Sequence, residues 1–426
     1  MDLEVVTVGN ELLLGFTLDS NAADIARALS SAGARVVRRT TVGDDAAAIR
    51  SSVSDALERT GFVVVTGGLG PTRDDITKRA VAELFGAPLD LDKVYLELLR
   101  QRFAKLGRGP MPESNRTQAE IPRGAKVLPN PRGTAPGLWL EGESGVAVLL
   151  PGIPEEMRRI LEREVIPRIE RYDPPAEGSE PVVTLSRTLR TTGASESDLA
   201  DRIGDLEQQL GPVTLAYLPG VEGPDLRLTA WQMLAKEAKT ELEKDVDLLL
   251  PVLGRNFYGE GTVQLAAVLL DTLRQKGFKL AVAESCTGGL VSAKLTAVPG
   301  SSDVFAGGVV CYTNESKIRD LAVPAETIEH HGAVSGEVAR AMVEGVCRRF
   351  DTDVGVAITG IAGPGGGTEE KPRGTVWIAA KVGEAVETHK RWFPGGREEV
   401  RHRSAQAGLD MVRQMLGEEG TGNGER

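Results

Sequence analysis

The chain alternates short apolar runs with longer stretches whose apolar residues recur at helical spacing. In the first third, DLEVVTVG, ARVVRRTTV and GFVVVTGG read as strands, and NAADIARALSSAG and DAAAIRSSVSDALERT as the helices between them. That order predicts a parallel sheet with helices on both faces. GVAVLLPG adds another buried strand. PEEMRRILEREVIPRI reads as a helix with Pro154 at its start, where a missing N–H costs nothing. The polar RYDPPAEGSEP, with its prolines and glycine, marks a first boundary at 171–181.

Beyond it the elements are fewer. VVTLSRTLRTTG reads as a strand and SESDLADRIGDLEQQL as a helix, with Ser195 and Asp198 spaced as a capping pair. VTLAYLPG and DLRLTAWQ read as a hairpin, and AKEAKTELEKDVDLLLPVL as a helix. GRNFYGEGT, 254–262, marks a second boundary. From 263 the alternation resumes through KLAVAES, VFAGGVVCYT and VGVAITG, then a strand pair GTVWIAAKVG and AVETHKRWF, and a last long helix. The expected architecture is α/β: two doubly wound α/β domains, 1–172 and 260–416, joined by a small α+β domain at 180–253, with a disordered tail at 417–426.

Composition narrows the functions this architecture can serve. The 426 residues are 41% hydrophobic and 26% charged, enough apolar material for more than one core. With 61 acidic against 50 basic residues the net charge is −11. That argues against broad nucleic-acid binding, which needs a basic face, but allows small phosphorylated ligands. Cys286, Cys311 and Cys347 have no metal spacing and cannot all pair in one chain, so a reducing compartment is expected. MDLEVVTVGN has neither part of a secretory leader, and no apolar run approaches membrane length. A cytoplasmic location is the expectation.

Candidate chemistry clusters where strands hand over to helices. In AESCTGGLVSAKL, 283–295, Ser285 ends a strand just before a helix, the ligand edge of an α/β sheet. The backbone N–H groups of Thr287, Gly288 and Gly289 are expected to be free there to hold an oxyanion. No histidine is obviously placed to activate a nucleophile. Lys317, after the next strand, is the alternative base if burial lowers its pKa, with Tyr312 and Ser302 to orient the pair. Cys286 is a competing nucleophile. Gly360, Ala362 and Gly363 in AITGIAGPGGG offer open amides for phosphate or ribose oxygens, and Arg397, near a helix start, can clamp a phosphate. Each of these alone is more commonly a turn, a solvated lysine or a surface charge; their conjunction favours a site.

The front half has its own set. VVVTGGLGPTRDD, 63–75, is a strand followed by a glycine-rich turn, suited to close approach of a phosphate. It is neither a P-loop nor a dinucleotide fingerprint. Asp74 and Asp75 form a hard-oxygen pair suited to a divalent metal on a pyrophosphate, and Glu11 and Asp44 follow neighbouring strands. Read alone, Asp75 and Asp44 serve equally well as helix caps.

The blocks AESCTGGLVSAKL, GSSDVFAGGVVCYTNESK, HGAVSGEVARAM, GIAGPGGGTEEKPRGTVWIA and GGREEVR, in that order over 263–416, resemble the nicotinamide-nucleotide amidase family, the carboxy-terminal domain of CinA proteins. The resemblance implies hydrolysis of the carboxamide of nicotinamide mononucleotide without a cofactor, with Ser285 as nucleophile, Lys317 as its base, Ser302 and Tyr312 assisting and Arg397 binding substrate. Gly396 departs from the aspartate often found before that arginine. GNELLLG, GGLGPTRDDITKRA, NRTQAEIP, NPRGTAPG and LPGIPEEM resemble the molybdopterin-binding-like (MoCF) domain of CinA. Relatives of that kind are metal-dependent ADP-ribose pyrophosphatases, or bind or adenylate molybdopterin. Asn10, Glu11, Asp44, Gly68, Gly70, Thr72, Asp74 and Asp75 match its site region. Asn130, Gly133 and Thr134 match a phosphate- or ribose-contacting loop. Phe16 and Asp19 stand where glutamine and a small polar residue are common.

The implied cofactor of the front site is a divalent ion, magnesium, manganese or cobalt, possibly with potassium. The middle segment resembles a KH-type domain, but its GVEG, 220–223, is acidic and lies in a hairpin, so a spacer or dimerisation role is expected rather than RNA binding. The resemblance implies a homodimer. Two other readings stay open: an amidase whose front domain only binds molybdopterin or a nucleotide, and a non-enzymatic role linked to competence or DNA damage.

Overall fold

The computed structural model describes residues 1–107, 109–174 and 180–418. The tail expected to be disordered lies outside them, except Gly417 and Glu418, which end the last helix. Residues 175–179 of the first expected boundary also lie outside. Two compact units emerge: Met1–Leu185 with Ala230–Thr240, and Ser186–Thr229 with Glu241–Arg426. No helix among the described residues is long and apolar enough to cross a membrane.

The first unit carries strands β1 (Asp2–Val8), β2 (Arg35–Val42), β3 (Phe62–Thr66), β4 (Leu89–Leu91), β5 (Glu120–Pro122), β6 (Lys126–Leu128), β7 (Gly137–Gly142) and β8 (Gly145–Leu150). Six of them form one sheet in the order β2-β1-β3-β8-β7-β6. The first four are parallel, whereas β7 and β6 run antiparallel. Both faces of the central strands β3 and β8 are covered, which is why these two read as unbroken apolar runs. Val5, Phe62 and Val64 pack with Ile25, Leu29 and Met157. Val6, Val63 and Val65 pack with Ile49, Val53 and Leu57 on the opposite face. The capping acids of the flanking helices are Asp19 and Asp45.

The chain then runs through β9 (Val182–Thr191), β10 (Val213–Leu218), β11 (Asp225–Leu234) and β12 (Phe257–Glu260), a four-stranded sheet ordered β10-β11-β9-β12. The division between the two units falls within β9 and β11. Ser195 and Asp198 form the expected capping box. The stretch 254–262, expected as a boundary, instead supplies β12, which pairs with β9. Its glycines and polar residues suit a sheet edge as well as a linker.

The rest of the second unit is a sheet of β13 (Leu280–Glu284), β14 (Phe305–Val310), β15 (Val354–Gly360), β16 (Thr375–Val382) and β17 (Ala385–Trp392), ordered β14-β13-β15-β16-β17. β14, β13 and β15 are parallel, and β16 and β17 antiparallel. Leu280 and Val282 pack with Leu269, Leu409 and Val412, and Ala281 and Ala283 with Met342, Val343 and Val346. The fold is α/β with mixed sheets at each end of the chain and a small α+β module between them.

Candidate functional site

Strand β13 ends at Glu284, and the parallel register of β14 and β15 brings their carboxyl ends to the same edge. Ser285 is the first residue past that edge, and its amide donates to the Ile358 carbonyl at 2.9 Å. Lys317 lies on the helix Asn314–Leu321 after β14, whose start is fixed by a Thr313–Ser316 capping box. Its side chain turns inward: only 1% of it is exposed. Lys317 Nζ donates to Ser285 Oγ at 3.0 Å and to the Cys311 carbonyl at 2.9 Å. No carboxylate among the described residues pairs with it, and burial holds its pKa below the ordinary lysine value. A buried amine without a counter-ion favours its neutral form, the form able to take a proton from a serine hydroxyl.

The turn after Ser285 supplies donors, though fewer than expected. The Gly288 amide is spent on the Ser285 carbonyl at 3.1 Å. The Thr287 and Gly289 amides have no acceptor among the described residues and are free to face developing negative charge. Gly288 and Gly289 both have left-handed backbone, φ 60 and 92, a conformation that side chains resist. Two groups not singled out in the sequence hold this turn. Arg401 donates through Nε and Nη2 to the Thr287 carbonyl at 3.2 and 3.0 Å. The fully buried Glu284 accepts from the Val291 and Ser292 amides and the Ser292 hydroxyl, anchoring the helix Leu290–Thr296 by its N-terminus. An acid ending an apolar strand was the available signal for Glu284, and REEVR carried the signal for Arg401.

The remaining expected residues divide. Tyr312 keeps its phenol away from the lysine: its hydroxyl accepts from Arg397 Nη2 at 2.9 Å, and only its backbone carbonyl approaches Lys317, at 3.5 Å. Arg397 also donates to the Gly363 carbonyl at 2.6 Å, so Arg397, Tyr312 and the loop after Gly360 meet at this edge. Ala362 is buried in the core, and the Ala362 and Gly363 amides have no acceptor among the described residues. Ser302 is not brought to the site. It precedes β14, and Leu280 pairs with Phe305 at that end, so it lies at the opposite sheet edge, about 15 Å away at ~3.3 Å per residue. Cys286 is 5% exposed within the core. Burial pushes its thiol up to about 12, which disfavours the thiolate. His331, His389 and His402 each face a glutamate, and no histidine bonds Ser285 among the described residues.

In the first unit the carboxyl ends of β2, β1, β3 and β8 form the equivalent edge. Gly67, φ 105, lies so close that a Cβ would stand 2.2 Å from the Val8 carbonyl oxygen, and Gly68 and Gly70 continue the bend. Asn10 and Asp44 bond reciprocally, backbone to side chain, at 3.0 and 3.3 Å. Asp75 accepts from the Thr72 amide at 2.8 Å and from its hydroxyl. It therefore fixes the turn rather than capping the next helix, and the helix after Asp44 is capped by Asp45 instead. Glu11 follows Asn10 in the short helix Asn10–Leu13, and Asp74 is exposed. Among the described residues no three His, Cys, Asp or Glu come together as a metal cluster.

Lys78, missed in the sequence, adds a cation one residue into the helix Thr77–Leu84. It donates to the Thr117 carbonyl, and burial lowers its pKa to about 8. The loop after β6 returns to this edge, but Asn130 is committed within it. Its Oδ1 accepts from the Arg132 and Gly133 amides, and its Nδ2 donates to the Ala135 carbonyl and Glu156. Asn130 organises the loop, with Gly133 packed against the Glu156 carboxylate, and is not available to a ligand. The Thr134 carbonyl accepts from the Tyr95 hydroxyl at 3.0 Å.

Three family descriptions match in succession: a probable molybdopterin binding domain over 4–171, the damage-inducible protein CinA KH domain over 186–259, and the CinA C-terminal domain over 262–416. A CinA-like protein of Gemmatimonas aurantiaca is 50% identical over 98% of this chain and 97% of its own. A putative competence-damage inducible protein of Symbiobacterium thermophilum is 43% identical over 98% and 99%. A solved competence/damage inducible protein from Agrobacterium tumefaciens is 41% identical, over 36% of this chain and 93% of that one, with a TM-score of 0.35.

Proposed function

The chain belongs to the CinA family, and from that premise we propose that its carboxy-terminal domain hydrolyses the carboxamide of nicotinamide mononucleotide to the acid and ammonia. The observation that carries this reading is the 3.0 Å contact between Ser285 Oγ and the buried, acid-free Lys317 Nζ. Ser285 Oγ attacks the amide carbon as Lys317 accepts its proton. The resulting oxyanion faces the Thr287 and Gly289 amides. Lys317 returns the proton to the leaving nitrogen, ammonia departs, and water cleaves the acyl-serine by the reverse traffic. Arg397 keeps N–H groups spare beyond its bonds to Gly363 and Tyr312, enough for the substrate phosphate.

Ammonia release from nicotinamide mononucleotide tests this. Ser285→Ala is expected to abolish it and Lys317→Ala to lower it by about 10²–10⁴-fold, while Cys286→Ala retains it. Full turnover by Ser285→Ala ends the assignment.

The front domain, in the same reading, binds a nucleotide phosphate at the glycine edge beside Lys78 and cleaves ADP-ribose to AMP and ribose 5-phosphate. In this reading a divalent ion would be held by Asp74 and Asp75, with Glu11 and Asp44 as further oxygen donors on the same edge, and would supply charge neutralisation for the pyrophosphate. AMP release is expected with added magnesium, manganese or cobalt, potassium being tested alongside, and is expected to fall in Asp74→Asn with Asp75→Asn. Binding of nucleotide without AMP release in any of these ions favours a non-hydrolytic front domain. A cytoplasmic homodimer completes the reading.

A further inference from the structure

The second unit holds a cleft that neither proposed activity uses. A cavity of about 660 Å³ lies among the hairpin turn 219–224, the helix start at 192–198, β17 and the outer face of the last helix. A second cavity, about 390 Å³, shares Gly193, Arg255, Arg391, Asp410 and Gln414 with it. The last helix turns Arg401 and its neighbours toward Ser285, and presents Arg403, Gln406, Asp410 and Gln414 to the cleft. The two sites therefore lie on different faces of one helix.

Its chemistry is uneven in a way that points to a ligand. Gln406 is 3% exposed, lines the larger cavity and leaves its Nε2 without an acceptor. The Nε of Arg403 is buried and equally unanswered. A buried donor without a partner is destabilising, and a ligand acceptor would remove that cost. The side chains of Arg255 and Arg391 make no ion pair or hydrogen bond among the described residues.

The acids around the cleft are, by contrast, mostly spoken for. Asp410 holds Arg413 and Gln414, Glu222 holds Lys294 and His402, Glu387 faces His389 and Asp198 completes the helix cap. Glu196 has no ion pair or hydrogen bond among the described residues. The two arginines without a partner, Arg255 and Arg391, lie where the two cavities meet. Apolar and aromatic walls, Trp392, Phe393, Met411 and Met415, belong to the larger cavity, while Arg202, Arg255 and Arg391 line the smaller one.

We infer that this cleft binds a nucleoside monophosphate, its phosphate among Arg255 and Arg391 and its ring in the larger cavity beside Trp392 with Gln406 hydrogen-bonding the base or ribose. Volume and polarity both fit: ligand sites of roughly 300–1,000 Å³ are apolar with a few placed polar groups, and guanidinium forks match phosphate. The inference stands apart from the amidase and pyrophosphatase readings.

Hydrogen exchange of the full chain tests it, since protection is read segment by segment and separates this cleft from both proposed active sites. Adenosine monophosphate is expected to protect 192–198, 219–224 and 403–415. Arg391→Ala is expected to weaken that protection by about tenfold or more, the worth of a charged hydrogen bond. Gln406→Glu, nearly isosteric, removes the Nε2 donor and is expected to weaken it, with an unchanged melting temperature excluding misfolding. The nucleotide assignment is overturned if these segments gain no protection at saturating ligand, if both variants bind as the wild type does, or if inorganic phosphate alone protects them with the same midpoint.

Discussion

Lys317 decides the chemistry at the Ser285 edge because burial, not a partner, sets its charge. Desolvation penalises the ammonium, so its pKa falls below the free value of 10.5. If the neutral amine is the base, ammonia release rises with pH and levels off at an inflection below 10.5. The same shift reaches stability. The unfolded chain keeps its proton up to about 10.5, whereas the folded chain sheds it earlier. Between those two values the unfolded state binds more protons, and stability rises with pH. Lys317→Met removes that dependence. The difference in melting temperature, Met variant minus wild type, is expected to fall as pH climbs through this window, with ammonia release lowered throughout as in Lys317→Ala. A difference that stays flat up to pH 10.5 would mean the lysine titrates normally, and an inert amine of that kind is a poor general base at neutral pH.

At the scale of elements, legibility followed length and periodicity. β1, β3, β8, β13 and β15 were readable because strands covered on both faces are mostly apolar runs, here closed within two residues by a glycine or a small polar residue. The helices around them announced themselves by spacing and caps. The stretch from 86 to 136 gave little, because β4, β5 and β6 are three residues each, too short for any period to register. β12 hid for a different reason: Gly259 and Gly261 look like a linker, and only its pairing with β9 makes it a strand. Site residues followed the same logic. Ser285 and Lys317 were legible from strand ends and chemistry. Ser302 was misplaced because nearness in sequence to β14 does not reveal which end of that strand faces the ligand edge. Asn130 was misread because its polar side chain serves the loop that carries it, a role visible only once Glu156 and Ala135 are in place.

At the scale of the whole molecule, the carboxy-terminal sheet is tied to the middle module within one compact unit. Glu222 in the hairpin turn pairs with Lys294, on the helix after Ser285, and with His402. Arg187 of β9 holds Glu260 of β12 through two nitrogens, and Arg413 of the last helix reaches the Arg255 and Phe257 carbonyls. These bonds should make 186–229 and 241–418 melt together, while the first unit, with its own two-faced core, melts by itself. Calorimetry of the full chain is therefore expected to show two transitions. Glu222→Ala should lower only the one that carries ammonia-releasing activity. The pair is partly exposed, so the loss is limited to about 1 kcal/mol, a shift of roughly 2–4 °C for a unit of this size. The location of the shift matters more than its size. If Glu222→Ala left the activity-bearing transition in place and moved the other, the hairpin would belong with the front half, and the cleft proposed to hold a nucleotide would lose one of its walls.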